Sequence, residues 1–252
     1  MMMLLDYIAD PQISPVDYMI ATYILKHDTE IADMTISVFA DLLHVSCSQI
    51  SRFVRHIGFS SFSDFKESLL YHGNPKRHSL VQRGMDCSDF QQHLHEDIDY
   101  FYEHFDYTQC VAFVDMILSV EDIALFGLLN SENNVRELQY NLALHHQICL
   151  TFFHVQDQLE YIRHSHGVIV IYSMSGEYVF DNGYSRYYGI VESLKKSQAK
   201  IWVVTGNPKV QSLDYVDRVI LIPHIHGNLS YLIHCFNDLI LSCYLKTRKS
   251  FP

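Results

Sequence analysis

What the chain has little of narrows it first. Cysteine supplies six of 252 residues, at positions 47, 87, 110, 149, 235 and 243, and no two of them stand as C-x-x-C. That argues against a disulfide scaffold or a cysteine metal knuckle, and leaves six small core residues or free thiols. No segment has the low-hydrophobicity, high-charge composition of a disordered tail. No apolar run is long enough to span a bilayer: Asn237 and Asp238 interrupt the best C-terminal candidate, 229–245. The opening MMMLLDYIADP lacks a basic leader and carries Asp6 and Asp10, so it does not read as a secretory signal. No membrane association and a cytoplasmic location are expected. Positive charge is scarce too, with 18 Lys and Arg against 29 Asp and Glu, a net charge of −11. Bulk charge therefore excludes a general nucleic-acid coat protein, although not a local reader.

What is present is a globular composition, 48% hydrophobic and 19% charged, sufficient for one large domain or two ordinary ones. The most informative stretch is 35–59, TISVFADLLHVSCSQISRFVRHIGF. Ile36, Phe39, Ala40 and Leu43 recur at helical spacing, and His44 and Val45 break the pattern. Ser46 is a good N-cap for a second helix from about Cys47 to Ile57. Ile50, Phe53, Val54 and Ile57 form the inner face of that helix, and Gly58 suits its end. Its outer face carries Ser48, Gln49, Ser51, Arg52, Arg55 and His56. Short polar groups ahead of arginines suit a helix in a DNA major groove. Spacing alone is equally compatible with a helical hairpin that has a solvated polar face. Over 46–77 the basic Arg52, Arg55, Lys66, Lys76 and Arg77 stand against Asp64 and Glu67, a local +3 that leaves −14 elsewhere. A basic patch thus coincides with the candidate DNA face.

The run VSCSQISRFVRHIGFSSFSDFKESL resembles the N-terminal domain of the RpiR-type (MurR/RpiR) bacterial transcriptional regulators. Val45, Ser46, Ile50, Arg52, Phe53, Gly58, Phe59, Phe62, Phe65 and Lys66 fall on the family pattern. Gln49 replaces its usual Thr, and Ile57 its usual Leu. The resemblance implies a sequence-specific regulator that binds a double-stranded DNA operator. Ser46 is implied at the start of the reading helix, Ser48, Gln49, Ser51 and Arg52 at base edges, and Arg55, His56 and Lys66 at phosphates.

Around this stretch, 14–28 reads as a first helix with a Val16, Met19, Ile20, Tyr23 and Ile24 stripe, and 29–34 as a connection. Ser61-x-x-Asp64 resembles a capping box opening a helix to about Tyr71. GNPKR at 73–77 reads as a linker. A helix is expected at 88–105, joining domains or contributing to a dimer interface. From Tyr107 onward, helices at 107–119, 131–146, 155–164, within 184–197 and at 227–246 alternate with apolar strands. The strands are EDIALFG (121–127), ICLTFF (148–153), GVIVIYS (167–173), AKIWVVT (199–205) and RVILIP (218–223). This alternation predicts a doubly wound α/β domain with a parallel sheet. The overall expectation is an all-α helix–turn–helix domain at 1–76, a linking helix at 77–106, and an α/β domain at 107–252.

Ligands of such sheets bind beyond the strand C-termini, where two loops stand out. Gly127, Asn130 and Ser131 follow the first strand; Ser173, Ser175, Gly176 and Glu177 follow the third. Hydroxyls and helix N-termini favour phosphate, although strand-to-helix turns use the same residues. SMSGE is similar to the S-x-S-G-x-T signature of sugar isomerase (SIS) domains, which bind phosphosugars. The strand 199–205, Asp217 and the strand 218–223 are similar to further SIS elements, and RpiR-type regulators pair the same two domains in this order. The resemblance implies a small phosphosugar effector at Ser131, Ser173 and Ser175, a homodimer or homotetramer, no cofactor and no metal.

The chain departs from the family pattern at Leu129 (usually Gly), Tyr178 (usually Thr) and Asn207, and in a longer 178–198 segment. A different ligand, weak binding or a surviving dimerisation surface are all consistent with these departures. The rival is an aldose–ketose phosphosugar isomerase, with Glu177 as base and His224 or His226 assisting ring opening. It leaves the first domain unexplained. Sixteen histidines, including His145-His146, His164-x-His166 and His224-x-His226, show no H-E-x-x-H context and read as scattered surface or interfacial groups.

Overall fold

The computed structural model describes residues 2–72, 85–127, 130–152, 154–181, 183–227 and 229–249. The linker expected at 73–77, with Lys76 and Arg77, and the departure at Leu129 lie outside them. The chain divides into two units, Met1–His78 and Ser79–Pro252.

The described part of the first unit is helical: α1 (Met2–Ile8), α2 (Pro15–Lys26), α3 (Asp28–Ile31), α4 (Ile36–Leu42), α5 (Cys47–His56) and α6 (Phe62–His72). Ser14 caps α2 by accepting the Asp17 N–H at 3.0 Å. Phe39, Ala40, Ile50, Phe53, Val54 and Phe65 are buried with Ile20, Ile24 and Ile31 in one core. On α2 the buried stripe includes Ala21, whereas Met19, expected inside, is 38% exposed. Two helices were not anticipated. α1 adds buried Leu4 to the core, and α3 occupies part of the expected connection. Both are too short for a helical period to register.

The turn between α4 and α5 closes by hydrogen bonding. His44 takes a left-handed φ of 53°. Its N–H donates to the Asp41 carbonyl (3.1 Å), and the Val45 N–H donates to Ala40 (3.0 Å). This is the Schellman arrangement, with histidine where glycine is usual. Asp64 serves the start of α6. Its N–H donates to Ser61 Oγ (3.1 Å) and its carboxylate accepts the Ser60 N–H (2.8 Å).

The second unit contains α7 (Cys87–His104), α8 (Thr108–Ser119), β1 (Ile123–Gly127), α9 (Asn130–Leu144), α10 (Val155–His164), β2 (Val168–Tyr172), α11 (Gly183–Tyr188), α12 (Ile190–Lys196), β3 (Lys200–Thr205), β4 (Arg218–Leu221) and α13 (Leu229–Lys249). The strands form a parallel sheet in the order β1-β2-β3-β4. One sheet face packs Leu125, Val170, Tyr172 and Val204 against Phe113 of α8 and Phe236 of α13. The other packs Phe126, Ile169, Ile171 and Val203 against Leu159, Ile162, Ile190 and Leu194. Helices on both faces make the sheet doubly wound, as the apolar strands require.

Two expectations need correction here. The segment 148–153 is not a full strand: it joins the sheet only through a bridge between Leu150 and Ala124. Leu150 exchanges 2.8 Å bonds with Ile123 and Leu125. The next rung would turn the Phe152 carbonyl towards β1, but that carbonyl accepts from Gln158 Nε2 at 2.6 Å. The helix expected within 184–197 is two helices, α11 and α12, separated at Gly189 (φ 68°). Among the described residues, no helix is long and apolar enough to cross a membrane. All six cysteines are free, and Cys47 and Cys87 are exposed.

Helix α7 belongs to the second unit. Phe101 and Phe105 join the core beside Phe236. Asp97, fully buried, accepts the N–H groups of Ile225 (2.7 Å) and His226 (2.8 Å). The His226 ring stacks on His93 at a centroid distance of 3.9 Å, and its Nε2 bonds to Glu96.

Two stability outcomes are expected. Asp97→Ala leaves two part-buried donors without their acceptor and should cost about 1–3 kcal/mol in denaturant unfolding, with Asp97→Asn losing less. His44→Gly relieves a left-handed side chain and should stabilise the first unit by about 1 kcal/mol, read as a higher melting temperature. A fall in that temperature would show that the imidazole supplies more than the strain removes.

Candidate functional site

In the first unit the candidate site is the outer face of α5. A reciprocal capping box holds its start: Ser46 Oγ accepts the Gln49 N–H (3.2 Å), and Gln49 Oε1 accepts the Ser46 N–H (2.8 Å). Gln49 is therefore half-buried with its amide oxygen committed to the cap, a role the sequence reading did not assign. At the other end, the Phe59 N–H donates to the Val54 carbonyl at 2.9 Å, with Gly58 at φ 94°. Between these ends Ser48, Arg52, Arg55 and His56 are exposed and Ser51 is half-buried. Ile50, Phe53, Val54 and Ile57 are buried, so the polar strip faces outward as expected.

Lys66 lies on α6, its ammonium 6.0 Å from the Phe62 ring centroid. Tyr7 of α1 reaches α5, with its ring 5.7 Å from Phe53 and 5.1 Å from His56. The Tyr7 hydroxyl donates to Asp17 at 3.0 Å. Burial, then that bond and the Asp17 charge, push the phenol up to about 12, so it remains a donor. The sequence reading missed Tyr7 because the helix that carries it was not recognised.

In the second unit the bridge at Leu150 lies outside β1, so the chain changes direction across the sheet between β1 and β2. Ligands of doubly wound sheets enter at such a point. The candidate loops meet there, because Gly127 and Tyr172 are register partners at the adjoining strand ends. Gly127 is dictated by packing: a Cβ there would lie 2.5 Å from the Ser131 carbonyl oxygen. Ser131 is buried in the first turn of α9, the helix that Asn130 opens.

Ser173 follows β2 and is buried. Its N–H donates to Val204 (3.0 Å), and its Oγ accepts the Tyr178 N–H (3.2 Å). Gly176, at φ 80°, returns its N–H to the Ser173 carbonyl at 2.9 Å. The end of β3 braces the loop, as Thr205 Oγ1 donates to Met174 (3.1 Å) and Asn207 Nδ2 to the Ser175 carbonyl (2.7 Å). Ser175 is exposed and Glu177 half-buried. Tyr178 does not replace a hydroxyl at the loop surface. It is 3% exposed, and its OH donates inward to Gln158 Oε1 at 2.8 Å. Ser185 of α11 is buried and donates to the Tyr178 carbonyl (3.0 Å), so the longer segment after Tyr178 buttresses the loop.

The histidines considered as isomerase partners stand elsewhere. His224 and His226 follow β4, and β3 separates that strand from the Glu177 loop. His224 Nδ1 bonds to the Ile222 carbonyl, and His226 is held by Glu96. Among the described residues, no three His, Cys, Asp or Glu side chains are grouped to hold a metal. An open cleft of about 360 Å³ is lined by Arg163, Tyr188, Gly189, Glu192, Ser193 and Lys196. Its cations already pair, Arg163 with Glu160 and Lys196 with Glu192.

Residues 2–72 match the family described as "Helix-turn-helix domain, rpiR family". No curated protein matches the chain in sequence. Among solved structures, the chain is similar to the Vibrio vulnificus NanR protein complexed with ManNAc-6P. The identity is 15%, coverage 98% of this chain and 93% of that one, and the TM-score 0.52. A putative phosphosugar isomerase involved in capsule formation from Bacteroides fragilis gives 13% identity, 64% and 91% coverage and a TM-score of 0.49. The sugar isomerase domain of an RpiR transcription factor from Sphaerobacter thermophilus gives 12% identity, 63% and 97% coverage and a TM-score of 0.42. Residues 2–72 thus match the rpiR-family helix–turn–helix domain, and a doubly wound parallel α/β domain follows them in the chain.

Proposed function

We propose that this protein is a cytoplasmic, sequence-specific DNA-binding transcriptional regulator whose second unit senses a small phosphosugar. The observation that carries the reading is the capped, outward-facing polar strip of α5, which lies within the rpiR-family match. Ser46 and Gln49 fix the start of the helix. Ser48, Ser51 and Arg52 meet base edges, and Arg55, His56 and Lys66 approach phosphates. A homodimer, or a homotetramer built from two such dimers, would present pairs of reading helices to half-sites about 34 Å apart.

The effector site joins Gly127, Asn130 and Ser131 to Ser173, Ser175, Gly176 and Glu177 at the switch point. Its serine hydroxyls and the start of α9 suit a phosphate group. The NanR likeness makes ManNAc-6P a reasonable first compound to try. An effector that favours one dimer geometry over another would couple metabolite level to operator binding. The non-enzymic reading is supported by the separation of Glu177 from His224 and His226 across β3. An isomerase would need its base and ring-opening group on one substrate.

Retardation of a labelled fragment of the protein's own promoter region tests the DNA-binding half. Wild-type binding should fall steeply with salt, and Arg52→Ala should weaken it about 10- to 100-fold with little change in melting temperature. Equal binding would remove Arg52 from the interface. Thermal shift against a phosphosugar panel tests the sensor. Ser175→Ala should shrink any shift that the wild type shows while leaving ligand-free DNA binding intact. An undiminished shift would place the effector elsewhere.

A further inference from the structure

The second unit contains a buried polar chain beneath the two candidate loops. Tyr172, the last residue of β2, is 1% exposed, Asn237 of α13 3% and Asn134 of α9 2%. The Tyr172 hydroxyl donates to Asn237 Oδ1 at 3.0 Å, and Asn237 Nδ2 donates to the Asn134 carbonyl at 2.9 Å. The direction of both bonds follows from chemistry. The Asn134 carbonyl can only accept, so the amide nitrogen must face it. Oδ1 then faces Tyr172, which must donate. Burial raises the Tyr172 phenol well above its ordinary value, which keeps that proton in place.

The surroundings do not call for polarity. The neighbouring inward positions are Val168 and Val170 on β2, and Ile233, Phe236 and Ile240 on α13. Phenylalanine and leucine would fill the positions of Tyr172 and Asn237. What distinguishes the three residues is where they stand. Tyr172 immediately precedes Ser173, and Asn134 lies on the helix that carries Ser131. Asn237 joins them from a third element.

We infer that the Tyr172–Asn237–Asn134 chain is a positioning device that fixes the spacing of the two loops at the switch point, with Asn237 as its pivot. None of the three contacts a ligand. They act through the loop that follows β2 and the helix that follows β1. The inference rests on the proposed effector site only for what the loops hold, and the spacing itself can be tested without a ligand.

The test is amide hydrogen exchange on the ligand-free full chain, comparing wild type with Tyr172→Phe/Asn237→Leu. Replacing both side chains by apolar groups leaves neither with an unmet polar atom, so the melting temperature should stay close to wild type. Exchange should nevertheless quicken about tenfold in 130–138 and in 173–178 together, the loss expected for one buried hydrogen bond. Exchange in β3 and in α2–α6 should be unchanged. Unaltered exchange in both segments at an unaltered melting temperature would overturn the inference and make the chain a satisfied core network only. If the double variant does not fold, Tyr172→Phe removes a single oxygen and gives the same readout at 173–178, where unchanged exchange would equally overturn it. Failure of the wild type to bind any phosphosugar would count against the effector reading and leave the exchange result standing.

Discussion

The second unit depends on the absence of one carbon atom. At the end of β1 the backbone of Ser131 comes so close to Gly127 that any side chain at that position would collide with its carbonyl. That approach brings the start of α9 against the strand end and sets the helix beside the loop that leaves β2. The adjoining register of Gly127 and Tyr172 then makes two sequence-distant loops neighbours. Everything proposed for the effector site follows from this juxtaposition, including the serines that face it and the braces from β3 and α11.

The first unit rests on a different constraint. Here α5 is fixed at both ends by hydrogen bonds rather than by a sheet. Ser46 and Gln49 satisfy each other's backbone groups at its start, and Phe59 closes onto Val54 at its end. With Ile50, Phe53 and Val54 inside the core, the rotation of α5 about its own axis is set. The polar strip can then be presented as a rigid surface, which is what discrimination between base pairs requires. Tyr7 adds a prop from α1, packing against Phe53 and His56 while its hydroxyl is held by Asp17.

Much of this was legible in the sequence where periodicity is long or capping chemistry explicit. The inner residues of α4 and α5, the Ser46 cap, the alternation from β1 to α13 and both candidate loops were all readable. What escaped lay in elements too short for periodicity or was decided by which partner a side chain takes. No local signal marks α1 or α3, which are one or two turns long. The segment 148–153 has the composition of a buried strand, but a glutamine six residues beyond Phe152 takes the carbonyl that would have continued the ladder. Tyr178 stands where a small hydroxyl was expected at the loop, but its ring is turned into the core towards Gln158. Gln49 looks like a base reader by position, although its oxygen serves the cap. At Gln158, Tyr178 and Gln49 a side chain with two possible uses was claimed by one partner, and only for Gln49 does a local signature, the S-x-x-Q capping box with Ser46, mark it.

The single rung at Leu150 has a consequence for the chain's behaviour in a crowded cell. A parallel sheet that ends in a long, regular outer strand offers a template on which another chain can crystallise strand by strand, and natural proteins blunt such margins. Here the margin beyond β1 is one residue deep. Two carbonyls beside this rung are already spoken for, Cys149 by Gln139 and Phe152 by Gln158. Two glutamines thus act as end-stops. With the Phe152 carbonyl taken by Gln158, the ladder along β1 stops after Leu150, and the outer margin stays too short to serve as a template.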